Sequence, residues 1–333
     1  MKVKKIVIAG AGALATCGAL GMAPAAVQAS SASAPAWTQK APATSPPARE
    51  QAAMAYDATT RTAVLFGGFG NTGSRLGDTW TWNGTTWTEQ HPATSPPGRF
   101  GAAMAYDAAT RTVVLFGGFG SISPFADTWT WNGTTWKMLH PAVSPPARSN
   151  AAVAYDAATG KIVLFGGCCD VTSDTWTWNG TTWKMLHPKV HPCARTNASM
   201  AYDAATRTAV LFGGSGHCSG AGGDPDDTWT WNGRQWRQQA PATSPPARDS
   251  AVMAYDAATG TAVLFSGENG LGSLLGDTWT WDGTTWTQQH PATSPPARVR
   301  AAMAYDAATR TAVLFSGCCD SSSNDFADTW TWG

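Results

Sequence analysis

Two copies of one tetrapeptide, Gly167-Cys168-Cys169-Asp170 and Gly317-Cys318-Cys319-Asp320, and two shorter steps, His191-Pro192-Cys193 and His217-Cys218, hold the residues of this chain best suited to metal or covalent chemistry. Imidazole and thiolate suit zinc and copper, so His191, His217, Cys193 and Cys218 form a candidate metal set, although their spacing matches no standard zinc module. The same cysteines can pair instead. Six of them follow residue 29, an even number, which in an exported chain points to disulfides ahead of a bound metal. Cys318 and Cys319 have no other near partner, so a vicinal Cys318–Cys319 bond is expected. By analogy Cys168–Cys169 is vicinal and Cys193–Cys218 bridges two loops. The rival pairing joins Cys168 and Cys169 to Cys193 and Cys218. Adjacent Cα atoms lie ~3.8 Å apart, below the usual disulfide range, so a vicinal ring is strained.

What positions these residues is a sixfold repeat. Tryptophans recur as Trp80/Trp82/Trp87, Trp129/Trp131/Trp136, Trp176/Trp178/Trp183, Trp229/Trp231/Trp236 and Trp279/Trp281/Trp286, then Trp330 and Trp332. The missing member of the last set is Trp37, in Trp37-Thr38-Gln39, which copies Trp286-Thr287-Gln288. Phe66, Phe116, Phe165, Phe212, Phe265 and Phe315 repeat at 50, 49, 47, 53 and 50 residues. A period of this length marks a repeat architecture.

Each unit reads as four short strands, a to d. In the first copy, Ala52–Tyr56 is strand a, rich in alanine as suits backbones crowded near an axis. Thr62–Phe66 is strand b, apolar on both faces as in a covered sheet. Thr79–Trp82 and Thr86–Glu89 are strands c and d, joined by Asn83-Gly84, a strong hairpin signal. Strand d carries Thr, Gln and Glu, which suits an outer rim. Proline-rich segments such as Pro92–Pro97 carry d to the next a. Four strands repeated radially predict an all-β, six-bladed β-propeller over residues 30–333, with Trp37 supplying the outer strand of blade six. That latch removes an open edge. Copied six times, the tryptophans read as core.

Function must then sit where the copies differ. The b–c loops carry 9, 8, 6, 12, 9 and 10 residues between the closing Gly of strand b and the Asp that opens strand c. They share one face of the disc with the d–a loops, and loops on a rigid scaffold are where sites form. That face collects Cys168, Cys169, Asp170, His191, Cys193, His217, Cys218, Glu268, Cys318, Cys319, Asp320, Phe69, Phe119 and Phe125. Phe326, Leu271, Leu274 and Leu275 add apolar surface, either tucked onto the blades or forming a contact patch. Six repeat arginines (Arg49, Arg99, Arg148, Arg195, Arg248, Arg298) precede strand a. Six aspartates (Asp78, Asp127, Asp174, Asp227, Asp277, Asp328) precede strand c at the same end. A structural Arg–Asp ring is expected, with an anion-binding mouth as the alternative.

An apolar strand closing on a double glycine, as in Leu65-Phe66-Gly67-Gly68, followed by paired aromatics on a hairpin, resembles the kelch repeat family over nearly all of residues 36–333. Trp82 stands where that family usually has Tyr, and blades five and six read Phe265-Ser266-Gly267 and Phe315-Ser316-Gly317. The resemblance implies a protein- or glycan-binding scaffold. Its enzymatic branches are the galactose oxidase type, with copper and a tyrosine radical, and the sugar mutarotases, which need a carboxylate and arginines at the channel mouth. The only tyrosines, Tyr56, Tyr106, Tyr155, Tyr202, Tyr255 and Tyr305, all occupy one repeat position, so no singular radical tyrosine is present. Glu50 and Glu268 are the carboxylates a mutarotase reading would use. Binding without catalytic residues or cofactor is the leading expectation; an exported carbohydrate-active enzyme using copper or zinc is the alternative.

Residues 1–29 read as a cleaved export signal: Lys2, Lys4 and Lys5, an apolar stretch from Ile6, then Val27-Gln28-Ala29. A secreted protein is therefore expected. Without those lysines the chain holds 19 basic and 22 acidic residues, a charge of −3, which leaves no footprint for nucleic acid. No later apolar run is long enough to span a bilayer. Asn83, Asn132 and Asn179 match a glycosylation pattern, but as hairpin turns they need no such explanation.

Overall fold

Strict alternation in Thr-Trp-Thr-Trp puts both indoles of strand c on one side of a sheet, and the fold builds its core from that side. The computed structural model describes residues 34–169, 172–216, 224–318 and 324–333. The expected export signal lies outside them. In blade 1, strand a is Ala53–Asp57, b Thr62–Gly70, c Arg75–Trp82 and d Trp87–Gln90. Strands b and c run beyond their expected ends in this blade because Phe69 and Arg75 continue the ladder past a register shift between Phe66 and Gly68. Elsewhere strand b has five residues and c four, as in Thr208–Phe212 and Thr228–Trp231 of blade 4. All six blades set four antiparallel strands side by side in the order a-b-c-d, and the two-residue strand Arg49–Glu50 adds to the sheet of blade 1.

The hydrophobic cores lie between blades. Ala53, Ala55, Val64 and Phe66 of blade 1 pack against Met104, Leu115, Trp131 and Trp136 of blade 2, and five equivalent clusters complete the circle. A lone blade would expose both faces, so each is stable only between two neighbours. Strand b sits deepest: Ala63, Val64 and Leu65 are fully buried. The outer Trp136 meets Phe66 of the preceding blade edge-on, with ring centroids 5.2 Å apart.

Hydrogen bonds close the same circle. Every outer-strand indole reaches back one blade to the first threonine of strand c. Trp136 Nε1 donates to Thr79 Oγ1 at 2.9 Å and Trp87 Nε1 to Thr329 Oγ1 at 2.9 Å. Further in, each glycine N–H closing strand b donates to an arginine carbonyl one blade ahead, from Gly68 to Arg99 (2.9 Å) round to Gly317 to Arg49 (3.0 Å).

The sixth blade is completed from the other end of the propeller. Trp37–Lys40 pairs antiparallel with Thr329–Trp332, with Trp37 opposite Trp332. Trp37 Nε1 donates to Thr278 Oγ1 at 2.8 Å, and its ring packs on Phe265 at 4.9 Å. It thus makes the same indole hydrogen bond and the same aromatic contacts, with a phenylalanine and with Trp332, as its five counterparts. Trp37→Ala is expected to cost about 3–5 kcal/mol, read as a lowered thermal midpoint by circular dichroism; a midpoint like wild type would mean that this residue does not close the ring.

Candidate functional site: the mouth of the channel

The repeat arginines set the geometry of the variable face. Arg49 is fully buried. Its Nη1 and Nη2 donate to Asp78 Oδ1 and Oδ2 at 2.7 and 2.8 Å. Nη1 also donates to the Gly67 carbonyl and Nε to that of Pro47, each at 2.9 Å. Asp78 Oδ2 in turn accepts from Trp80 Nε1 at 2.7 Å. One guanidinium thus pins the d–a loop, the end of strand b and the start of strand c. All six blades repeat the arrangement, with Arg–Asp distances of 2.5–2.7 Å. The structural ring is therefore correct. The anion-binding alternative is not, because these arginines are buried and already paired in bidentate fashion. Phe125 and Phe326 lie over the Arg99 and Arg298 guanidinium groups, each at 4.0 Å, so both tuck onto the blades.

Two residues past each arginine the backbone turns left-handed. Gln51, Gly101, Asn150, Asn197, Ser250 and Arg300 all have φ between 53° and 63°. Each N–H donates to the carbonyl of the equivalent residue one blade back: Gly101 to Gln51, Asn150 to Gly101, and so round to Gln51 donating to Arg300, at 2.7–3.1 Å. Asn and Gly tolerate this conformation, whereas Gln, Ser and Arg adopt it at a cost of about 1 kcal/mol or more each. At Gly101 a Cβ would meet the end of the Asn150 amide, which would have to turn aside. The six residues rim a cavity of about 140 Å³, floored by Ala52, Ala102, Ala151, Ala198, Ala251 and Ala301. Ser250 is buried, and its hydroxyl, on the cavity wall, has no hydrogen-bond partner of good geometry.

A second circle surrounds the first. The residue after each arginine meets the residue after each closing glycine: Glu50 with Phe69, Phe100 with Phe119, Thr196 with Ser215, Asp249 with Glu268 and Val299 with Cys318. Cys168 N–H donates to the Ser149 carbonyl at 2.8 Å. Phe69, Phe119, Cys168, Glu268 and Cys318, singled out from the sequence, are therefore five copies of one position around the mouth.

The circle is divided by chemistry. Phe69, Phe100 and Phe119 form an apolar arc with successive centroids 5.6 Å apart. Across blades 5, 6 and 1 stand Asp249, Glu268, Asp325 and Glu50, grouped about Arg300, the one cation among the described residues lining the cavity. Arg300 Nη1 contacts Glu50 Oε2 at 3.1 Å. Burial, then the neighbouring Asp224 and Glu268 charges, pushes Asp249 up to about 6 against the pull of Ser250 and Arg300. Burial and then Glu50 push Asp325 up to about 6.

The cysteine and histidine expectations fare differently. Cys168 and Cys169 are both thiols, with Sγ atoms 2.7 Å apart. A disulfide needs ~2.05 Å, so the expected vicinal Cys168–Cys169 bond is not formed, consistent with the poor fit of adjacent Cα atoms to disulfide geometry. Cys168 Sγ lies 2.9 Å from Ser149 Oγ instead. Burial, and then Cys168, pushes the Cys169 thiol up to about 11, which keeps it protonated and weakly nucleophilic at neutral pH. Cys318 is likewise in the thiol form. Its expected partner Cys319 lies outside the described residues, as do Asp170, His217, Cys218 and Asp320. Cys193 is disulfide-bonded, and the pairing itself falls outside those residues. A bonded cysteine offers no thiolate, and exposed His191 sets its Nδ1 2.9 Å from the Pro192 carbonyl. Among the described residues, Glu50, Cys318 and Asp325 do bring three donor atoms within 4.8 Å of one another.

The rim residues Gln51, Asn150, Asn197, Ser250 and Arg300 escaped sequence reasoning, yet a signal was present. In the constant Arg-x-x-Ala step, the middle residues form a different pair in every blade: Glu-Gln, Phe-Gly, Ser-Asn, Thr-Asn, Asp-Ser and Val-Arg. No protein-family model matches the chain, and no curated protein sequence matches it.

Two outcomes follow from these ionisations. Burial works against the Asp78 charge, but the Arg49 hydrogen bonds and charge outweigh it and hold the carboxyl below its ordinary value. Asp78→Asn, which leaves a buried guanidinium facing a neutral amide, is expected to cost about 3–5 kcal/mol in chemical denaturation at pH 7. Asp249 has the opposite sign. Its raised value means that the folded state takes up its proton first, so its charge increasingly opposes folding as pH rises from about 4 through 6. Asp249→Asn should melt higher than wild type at pH 8 and match it near pH 4; equal midpoints at both would refute this sign.

Proposed function

We propose that this propeller is an exported, kelch-type binding module that seats a carbohydrate at the mouth of its channel. The observation that carries the reading is the left-handed rim. A sixfold scaffold with near-identical blades departs from its own repeat at Gln51, Asn150, Asn197, Ser250 and Arg300, and turns those side chains toward one cavity. Amides, a hydroxyl and a guanidinium flanked by carboxylates supply donors and acceptors in alternation, as ring hydroxyls require. The Phe69–Phe100–Phe119 arc offers an apolar face beside them. Export is supported by the basic, apolar and small-residue pattern of residues 1–29 and by the disulfide state of Cys193. A Cys193–Cys218 bridge belongs to the same proposal.

A second reading, a mutarotase-like enzyme, draws on Asp249 specifically. A carboxyl with a value near 6 beside Arg300 is suited to passing a proton to and from a sugar oxygen. Copper or zinc chemistry could draw on Glu50, Cys318 and Asp325, whose donor atoms lie within 4.8 Å of one another, and metal analysis of the purified protein tests it directly.

A glycan array followed by calorimetry tests the leading reading. Asn150→Gly and Asn197→Gly keep the left-handed backbone but delete one amide each. Each should weaken binding up to about tenfold, the value of one or two hydrogen bonds. Binding that ignores both changes, or an array on which no sugar retains the protein, would reject a carbohydrate at the mouth. Anomer exchange followed by NMR and abolished in Asp249→Asn would favour the enzyme.

A further inference from the structure

The copies also disagree far from the mouth, on the outer edge of the disc. The outer strands of blades 2 and 3, Trp136–Leu139 and Trp183–Leu186, both read Trp-Lys-Met-Leu. Those of blades 1, 5 and 6 read Trp-Thr-Glu-Gln, Trp-Thr-Gln-Gln and Trp-Thr-Gln-Lys. The loops that follow change with them: Val143 and Val190 stand where blades 1, 4, 5 and 6 have Thr94, Thr243, Thr293 and Thr44. In blade 4 the Thr243 hydroxyl donates to the Trp286 carbonyl at 2.6 Å and fastens the loop to the next blade. Valine has no hydroxyl for such a bond and leaves its methyls in water: Val143 is 49 % and Val190 57 % exposed, beside Met138 at 41 % and Met185 at 40 %.

The altered positions are contiguous. Val143 lies on the outer strand of blade 3, where its carbonyl accepts from Trp183 N–H at 3.3 Å. Val190 lines a groove of about 670 Å³ against the outer strand of blade 4, together with Lys189, Arg234 and Arg237. Lys137, Lys184, Lys189, Arg234 and Arg237 are all exposed, and no carboxylate of the described residues lies within 4 Å of them. The rims of blades 5, 6 and 1 carry Asp282, Lys40 and Glu89 instead. Five unpaired cations therefore gather along three adjacent blades of a chain whose formal charge is zero. Each strand d is also the last of its sheet, and beyond its first residue, where Val143 already meets Trp183, the outward edge is open to pairing.

We propose that the rim of blades 2 to 4 docks an extended, acidic peptide segment of a partner protein, one that carries alternating apolar side chains. Carboxylates of the segment meet the lysines and arginines. Its apolar side chains cover Met138, Val143, Met185 and Val190, and its backbone pairs with the open outer strands, the mode of strand addition. The groove beside Val190 favours an inserted chain over a flat lipid surface. This surface is independent of the mouth.

Fluorescence anisotropy with a short fluorescein-labelled peptide of alternating Glu and Val tests the proposal, with a Lys–Val peptide and phosphatidylglycerol vesicles as comparisons. The variant Lys137→Thr, Met138→Gln, Lys184→Thr, Met185→Gln gives blades 2 and 3 residues that blade 5 already folds with. The acidic peptide should bind wild type, weaken with added salt, and bind this variant at least about tenfold less tightly. A thermal midpoint like wild type separates loss of docking from loss of fold. No binding to wild type, undiminished binding to the variant or equal binding of the Lys–Val peptide overturns the proposal. Retention on vesicles alone overturns it in favour of an anionic lipid surface.

Discussion

A buried arginine held by an aspartate organises each blade of this protein. A guanidinium removed from water destabilises the fold unless its donors are met. Here four of the five N–H groups are met by groups from three separate segments, the Pro47 and Gly67 carbonyls and both Asp78 oxygens. The aspartate extends the network to Trp80, and the arginine's own carbonyl accepts from a glycine of the preceding blade. The same residue thus fixes the loop that enters a blade, the strand that leaves it and the spacing to its neighbour. Because Asp78 remains partly exposed while Arg49 does not, the ring of ion pairs faces the variable surface and frames it.

On that frame, variation is confined to positions that cost the core little. The interior of strands b and c is copied almost unchanged, since any change in one blade alters a core shared with the next. Freedom remains around the mouth and along the outer strands. The two differ in kind: the mouth is a small polar hollow with an apolar arc, whereas the outer edge is a long cationic and apolar strip. One repeat has been diversified at both ends of its radius.

Much of this was legible beforehand for a simple reason. Large aromatic side chains must be buried, so the tryptophan spacing reports the blades, and Trp37 reports how the ring closes. Arg49 and Asp78 were legible as a pair because both recur in every unit. The left-handed rim was not, because Gln51, Ser250 and Arg300 have no local preference for positive φ; bonds between blades impose it. Attention to cysteine and histidine also drew the reading toward vicinal disulfides, which Cys168 and Cys169 do not form. Their near neighbour Ser149 shows that loop cysteines can serve as ordinary small polar contacts. The Lys-Met-Leu outer strands were in plain view but read as one more polar rim, since two copies of six do not disturb a consensus.

The rim's hydrogen bonds all run in one rotational sense, each amide pointing back to the previous blade. A row of aligned peptide dipoles ordinarily has two ends, one positive and one negative, and helices attract ions there. A circuit has no ends. Its dipoles follow one another head to tail around the axis and cancel, so the backbone encircles the channel with a polarised loop that carries no pole of its own. The sign of the opening is left entirely to the few side chains mounted on that loop, and exchanging one of them resets the field without disturbing the ring beneath.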